Sequence, residues 1–180
     1  MGCLKNSTSL NRDVKLNFIL SIVKNINSYA INSLMDEQII YYETNFWKVM
    51  LHPNQAYLGY SIIILKREAD SLSNLKKEEW DNLQKIIKKL ESAYKKTFNA
   101  TMFNWTCLLN NAYKKDPPKP QVHFQMRPRY KQKVKINKDS FEDLEFAHHY
   151  NKKRMNVVLR KTLELIAKKI YNIDKRKLLG

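Results

Sequence analysis

The order of elements along the chain predicts an α+β fold, and three observations carry that expectation. Apolar residues recur at spacings of three and four in residues 75–98 and again near the C-terminus, the period of amphipathic helices. Short runs rich in Val, Ile, Phe, Tyr and Trp, bounded by Pro, Gly and Asn, read as strands. Helix, two strands, helix, then strands and a last helix is not the strict alternation of a parallel α/β sheet. With 180 residues, 43% hydrophobic and 11% aromatic, the chain can bury one good core and is not a disordered segment.

Residues 13–34 place Leu16, Ile19, Ile22, Val23, Ile26 and Ala30 at helical spacing, with Lys and Asn on the other side. The runs FWKVMLH (46–52) and YSIIILK (60–66) are strands joined by the turn-rich PNQAYLG. In the helix over 75–98, Trp80, Leu83, Ile87, Leu90 and Tyr94 form the apolar stripe, and Glu78, Asp81, Lys85, Lys88 and Lys96 the wet face. NWTCLLNN (104–111) and QVHFQMRPRY (121–130) are two further strands. The AYKKDPPKP between them is a loop, since three prolines in four residues neither pair nor coil. KQKVKIN (131–137) alternates like an edge strand, and NKDSFEDLEFAHHYNKK is irregular and polar. A final helix over 155–173 is expected to bury Leu159, Leu163, Ile166 and Ile170. The chain thus divides into an N-terminal helical extension (1–39), a main domain (40–150) and a C-terminal helix (151–180) packed on that domain.

Composition narrows the chemistry. Three glycines leave no Gly-rich phosphate loop of either standard spacing. The net charge is +16, and residues 113–180 hold 19 Lys/Arg against 7 Asp/Glu, a surplus of +12. Such a basic third attracts nucleotides, nucleic acid or an anionic membrane surface. An AT-rich coding bias toward Lys, Asn, Ile and Tyr raises the charge equally well, and the two readings stand side by side. Cys3 and Cys107 are the only cysteines, which excludes a disulfide framework and points to a reducing cytoplasm. No 18-residue apolar run is present, so no membrane partner is expected. The start MGCLKNS falls one residue out of step with a myristoylation signal, having Asn6 where Ser or Thr is needed.

In the strand over 121–130, residues two apart share a face. Gln121, His123, Gln125 and Arg127 therefore align, while Val122, Phe124 and Met126 face the core. A lone strand histidine is more often structural than catalytic. Its surroundings change that reading. In order, ETNFWKVML, NQAYLGYSIIILKRE, the Trp80 helix, FNWTCLLNNAY, a Pro loop and VHFQMRPRY resemble the histidine-triad superfamily. The branch is the bacterial and archaeal one related to dinucleoside-polyphosphate hydrolases, whose His-φ-His-φ-His-φ-φ signature often runs into Pro-Arg-Tyr. The resemblance spans about residues 40–150, with FEDLEFAHHY like the branch's usual tail.

It implies an antiparallel sheet with packed helices and a homodimer formed through the long helix and adjoining strand. It also implies a nucleotide or dinucleoside-polyphosphate ligand, attacked at its α-phosphorus by the middle triad residue, His123. Gln121 and Gln125 stand where the flanking histidines would be. Gln121 offers an amide oxygen to orient the His123 ring; Gln125 donates a hydrogen bond but has no proton to give the leaving group. The resemblance assigns Asn110 to the phosphate region and His52, with Asn54 beside it, to the ribose. Arg127 and Arg129 reach phosphates beyond the α position, with a structural ion pair as the other reading of Arg129. His148 and His149 are adjacent and diverge, so no metal site is expected, although Mg²⁺ can arrive with a polyphosphate. Two other functions remain open: a non-catalytic nucleotide- or RNA-binding protein on the same fold, and a basic nucleic-acid-binding module in which His123 is structural.

Overall fold

The computed structural model describes residues 39–177, with side chains described through Tyr171. The helix expected over 13–34 lies outside the described residues. Seven strands and two α-helices follow in order: β1 (Ile39–Glu43), β2 (Trp47–Leu51), β3 (Ser61–Leu65), α1 (Lys77–Phe98), β4 (Met102–Thr106), β5 (His123–Arg129), β6 (Val134–Ile136), β7 (Asp139–Phe141) and α2 (Arg160–Lys177). Five strands form one antiparallel sheet in the order β1-β2-β3-β5-β4, and β6 and β7 form a separate ribbon. The fold is therefore α+β, with strands joined by turns and the long α1 crossover rather than by alternating helices.

β2 and β3 form because their alternating Val, Met, Leu, Ile and Trp residues pack on both sides of the sheet, pairing Val49 with Ile63 and Trp47 with Leu65. The core unites Trp47, Val49, Leu51, Ile63, Leu65, Val122 and Met126 with Leu83, Ile86, Leu90 and Tyr94 of α1 and with Leu163, Ile166 and Ile170 of α2. β5 runs between β3 and β4, and Ile64 pairs with His123. Pro128 is tolerated in β5 because β3 pairing stops at Met126, leaving that side of the strand free.

Four expectations shift. IIYYE forms the edge strand β1, which the sequence pattern had not marked. The strand expected over 104–111 ends at Thr106, and Asn110–Lys114 is a 3-10 turn. Trp80 is 41% exposed and lies edge-on to Phe124, while Glu79 takes the buried place beside it. Glu79 is drawn in because Arg67 grips both its oxygens at 2.6 and 2.8 Å and the Lys76 N–H closes the helix start on it. Leu159 is 75% exposed, since α2 begins one residue later and the preceding segment is tied to Asn54 through a bridge with Val157.

Candidate functional site

The first wall is the turn between β2 and β3. Gln55 is fully buried and holds the turn together: its Nε2 donates to the carbonyls of His52 (2.6 Å) and Tyr60 (3.1 Å), and its Oε1 accepts from the Gly59 N–H (2.6 Å). Gly59 has φ +82°, and a β-carbon there would meet the Tyr94 ring at 2.1 Å, so the position demands glycine twice over. The braced turn sets the His52 imidazole flat on the Tyr60 ring, 4.4 Å between centroids. His52 Nδ1 accepts the Asn54 N–H at 3.0 Å, which places the ring proton on Nε2. Burial, reinforced by the nearby Arg127 charge, lowers the His52 pKa to about 4.

The second wall is β5. The His123 Nδ1–H donates to the Gln121 backbone carbonyl at 2.8 Å, which leaves the Nε2 lone pair free for chemistry. The ring is thus oriented by the Gln121 main chain and not by its amide. That amide is spent elsewhere, donating to the Leu65 and Arg67 carbonyls at 2.8 Å each and accepting the Ala69 N–H at 3.2 Å. Gln125 Oε1 accepts from the Tyr60 hydroxyl (3.1 Å) and from Arg127 Nη2 (2.7 Å), so its NH₂ remains as the donor of that side chain. The Arg127 guanidinium lies between two tyrosine rings, 4.0 Å from Tyr60 and 4.2 Å from Tyr150. It is 8% exposed, and its Nη1 is buried without a hydrogen-bond partner.

Two expected ligand residues, Arg129 and Asn54, have their side-chain polar groups engaged by the scaffold, although Asn54 also lines the cavity between these walls. Arg129 is fully buried and all five of its N–H groups are engaged, by both Asp143 oxygens, Asn104 Oδ1 and the His148 and Glu145 carbonyls. No donor remains for a phosphate. Asn54 likewise spends its amide on the Arg154 carbonyl, Met155 Sδ and the Ala56 and Asn156 N–H groups, clasping the segment before α2.

His52, Gln121, His123, Gln125 and Arg127 line one cavity of about 510 Å³, closed at its rim by Asn110, Lys119 and Lys152. None of its lining residues is Asp or Glu. Arg154, also in the wall, is neutralised by Glu145 at 2.8 Å. Tyr60 and Tyr150 were missing from the sequence-based site. Tyr150 sits in a polar, aperiodic segment that gives no sign of its place over Arg127. Tyr60 falls where strand alternation marks it as facing away from the Ile63 core, the one signal that could have found it. Among the described residues, no three His, Cys, Asp or Glu side chains cluster as metal ligands would.

No family model matches the chain, and no curated protein is similar to it in sequence. Solved structures are similar in fold. A histidine triad protein from Marinobacter aquaeolei superposes with a TM-score of 0.59 at 14% identity over 81% of this chain and 94% of its own. One from Sinorhizobium meliloti gives 0.59 at 13% identity over 78% and 93%. A Hit-like protein from Bartonella henselae described as involved in cell-cycle regulation gives 0.52 at 20% identity over 76% and 86%. The chain has the histidine-triad fold.

Proposed function

We propose that this protein binds a nucleotide, or one half of a dinucleoside polyphosphate, by its α-phosphate and acts on it through a covalent intermediate at His123. The observation that carries the proposal is the His123 ring itself. Its Nδ1–H is committed to a main-chain carbonyl, and its other nitrogen stands in the wall of a carboxylate-free, basic cavity. Neutral imidazole in that tautomer is a nucleophile near pH 7. Nε2 forms a bond to the α-phosphorus as the phosphorus–oxygen bond to the leaving group breaks, and the leaving group departs with the electron pair. Water then attacks the phosphorus in an exchange that breaks the P–N bond, losing its proton to solvent and freeing Nε2. The Gln125 NH₂ donates to phosphate oxygen but supplies no proton, so the leaving group is protonated by solvent or leaves as an anion. The site operates in the cytoplasm on this reading.

A second reading, nucleotide binding without turnover on the same fold, is favoured by one specific feature. Neither position flanking His123 holds a group that transfers a proton, and the Gln121 amide is consumed by the 65–69 main chain.

Acid quenching during incubation with a labelled nucleotide decides between them. The enzyme reading expects a histidine-linked nucleotidyl group that His123→Ala cannot form, with nucleotide affinity changed only a few-fold. It also expects substrates with an acidic phenol or pyrophosphate leaving group to react far faster than phosphoramidates of ordinary amines, and Gln125→His to narrow that gap. Binding with neither adduct nor turnover would leave only the second reading. Activity that survives in His123→Ala would place the chemistry elsewhere.

A further inference from the structure

We infer that the protein carries a second anion-binding surface, a basic groove that seats the phosphodiester backbone of a nucleic acid. It lies at the end of β5 remote from His123, and the inference does not depend on the nucleotide reading above. The groove, of about 740 Å³, runs between the last turn of α1 with the 99–101 connection and the segment 131–135 leading from β5 into β6. Four lysines line it, Lys96, Lys131, Lys133 and Lys135, and no Asp or Glu does. Among the described residues no carboxylate pairs with Lys96, Lys131 or Lys135, while Lys133 meets Glu142 at 3.5 Å with both side chains half-exposed. So exposed a pair is worth little and yields to a better anion.

Helix capping explains only part of this charge. Lys95 and Lys96 complement the carbonyl end of α1, where cations are favoured. The other three lysines of the groove stand on a different element. Alternation buries Ile136 and half-buries Val134, which leaves Lys133 and Lys135 exposed on the same side of the chain. Residues two apart in an extended segment are separated by about 6.6 Å, close to the step between successive phosphates of an extended nucleic-acid strand. Asn99, Thr101 and Gln132 set neutral donors between the charges, and phosphate oxygens accept from such groups. The lining speaks against a membrane as the occupant. Phe98 and Ala100 are buried there, and no exposed large hydrophobic side chain of the described residues lies in the groove, so nothing is present to enter a bilayer. A strand lying along a concave row of lysines meets more of them than a flat surface does. His123 and Arg129 end the same strand, about 20 Å apart, so groove and cavity are separate sites.

Fluorescence anisotropy at about 50 mM salt, with a labelled single-stranded RNA of about 20 nucleotides and a duplex of the same length, tests the inference. The wild type should bind at least one of them, and the one bound more tightly names the form the groove accepts. The triple variant Lys131→Gln, Lys133→Gln, Lys135→Gln should weaken that binding about tenfold or more and lower the salt slope by about 2 to 3. The same change at Lys77, Lys114 and Lys115, exposed lysines outside the groove, should cost less than about threefold. Thermal melts check that both triple variants fold. Should the groove variant not fold, Lys96→Gln with Lys131→Gln carries the test, with an expected loss of about fivefold. Equal losses in the two triple variants overturn the groove and make the affinity a property of the whole surface. A wild type that binds neither RNA nor duplex overturns it as well. Sedimentation with phosphatidylserine vesicles covers the other polyanion. Vesicle binding that the groove variant loses, with no nucleic-acid binding in the wild type, would assign the groove to a membrane and overturn the proposal.

Discussion

Single residues in this cavity owe their properties to what their neighbours have already claimed. His52 is the clearest case, because its Nδ1 must stay unprotonated to accept the Asn54 N–H while burial and the Arg127 charge oppose a positive ring. An unfolded histidine titrates near pH 6.5, and His52 in the folded protein near 4. Between those values the unfolded chain binds a proton that the folded one refuses. Stability therefore falls as pH drops from about 6.5 to about 4, then levels off for this group. Nuclear magnetic resonance should show one imidazole with a midpoint near 4, absent in His52→Gln, and that variant should lose part of the pH dependence of its urea midpoint over the same window. A His52 midpoint near 6.5 would contradict the burial of this ring. Strand alternation puts His123, Gln125 and Arg127 on one face because it needs only local spacing, and all three line the cavity, as does His52, which the family resemblance supplied. Neither could reveal that Arg129 is saturated, since Asn104, Asp143, Glu145 and His148 lie 14 to 25 residues away along the chain. The split between the Gln121 amide and its carbonyl was hidden for the same reason, as the amide answers to residues 65–69.

Elements were legible in proportion to the periodicity they carry. α1 and the β2–β3 pair follow directly from 3.6- and 2-residue patterns. β1 is half-exposed and pairs on one side only, so its IIYYE has no alternation to betray it. The turn joining β2 to β3 matters most for function, since it carries His52 and Tyr60 into the cavity wall and seats itself against α1 through Gly59 and Tyr94. Gly59→Ala would place a methyl group 2.1 Å from Tyr94 Cε1 at a φ of +82°. Overpacking of this kind costs about 1–3 kcal/mol, and the left-handed backbone adds about 1 kcal/mol. The urea midpoint should fall accordingly, and nucleotide affinity should weaken because the same turn positions the wall. In a Tyr94→Leu background the added cost of Gly59→Ala should shrink, since the ring edge is gone. A loss below about 0.5 kcal/mol in the wild-type background would mean that the turn yields more easily than Gln55 bracing implies.

At the scale of the whole molecule, the positive charges stand in two different electrostatic environments. Inside the cavity, Arg127 is buried and no lining residue is Asp or Glu, so its field is poorly screened by solvent. Outside, lysines such as Lys77 pair with exposed acids across one helical turn or stand in water, where about 0.1 M salt confines their reach to about 10 Å. β4 forms an edge of the main sheet, and pairing of two copies there, as the family resemblance implies, would double the 21.5 kDa sedimentation mass. The two kinds of charge predict different responses to salt. A long single-stranded RNA engages many surface cations and releases counterions with a slope of about 0.7 per phosphate contact, so its binding should be strong at 50 mM salt and lost by about 200 mM. A mononucleotide carries few charges and meets them in a sheltered site, so its thermal stabilisation of the protein should change little over the same range. If RNA binds the outer surface and AMP the cavity, saturating AMP should leave the low-salt RNA complex in place. Fluorescence anisotropy of a labelled 20-residue RNA, with and without AMP across that salt range, measures both. RNA binding that persisted at 200 mM salt and was displaced by AMP would assign the cavity to an RNA end, and the surface charge would then be part of one continuous nucleic-acid site.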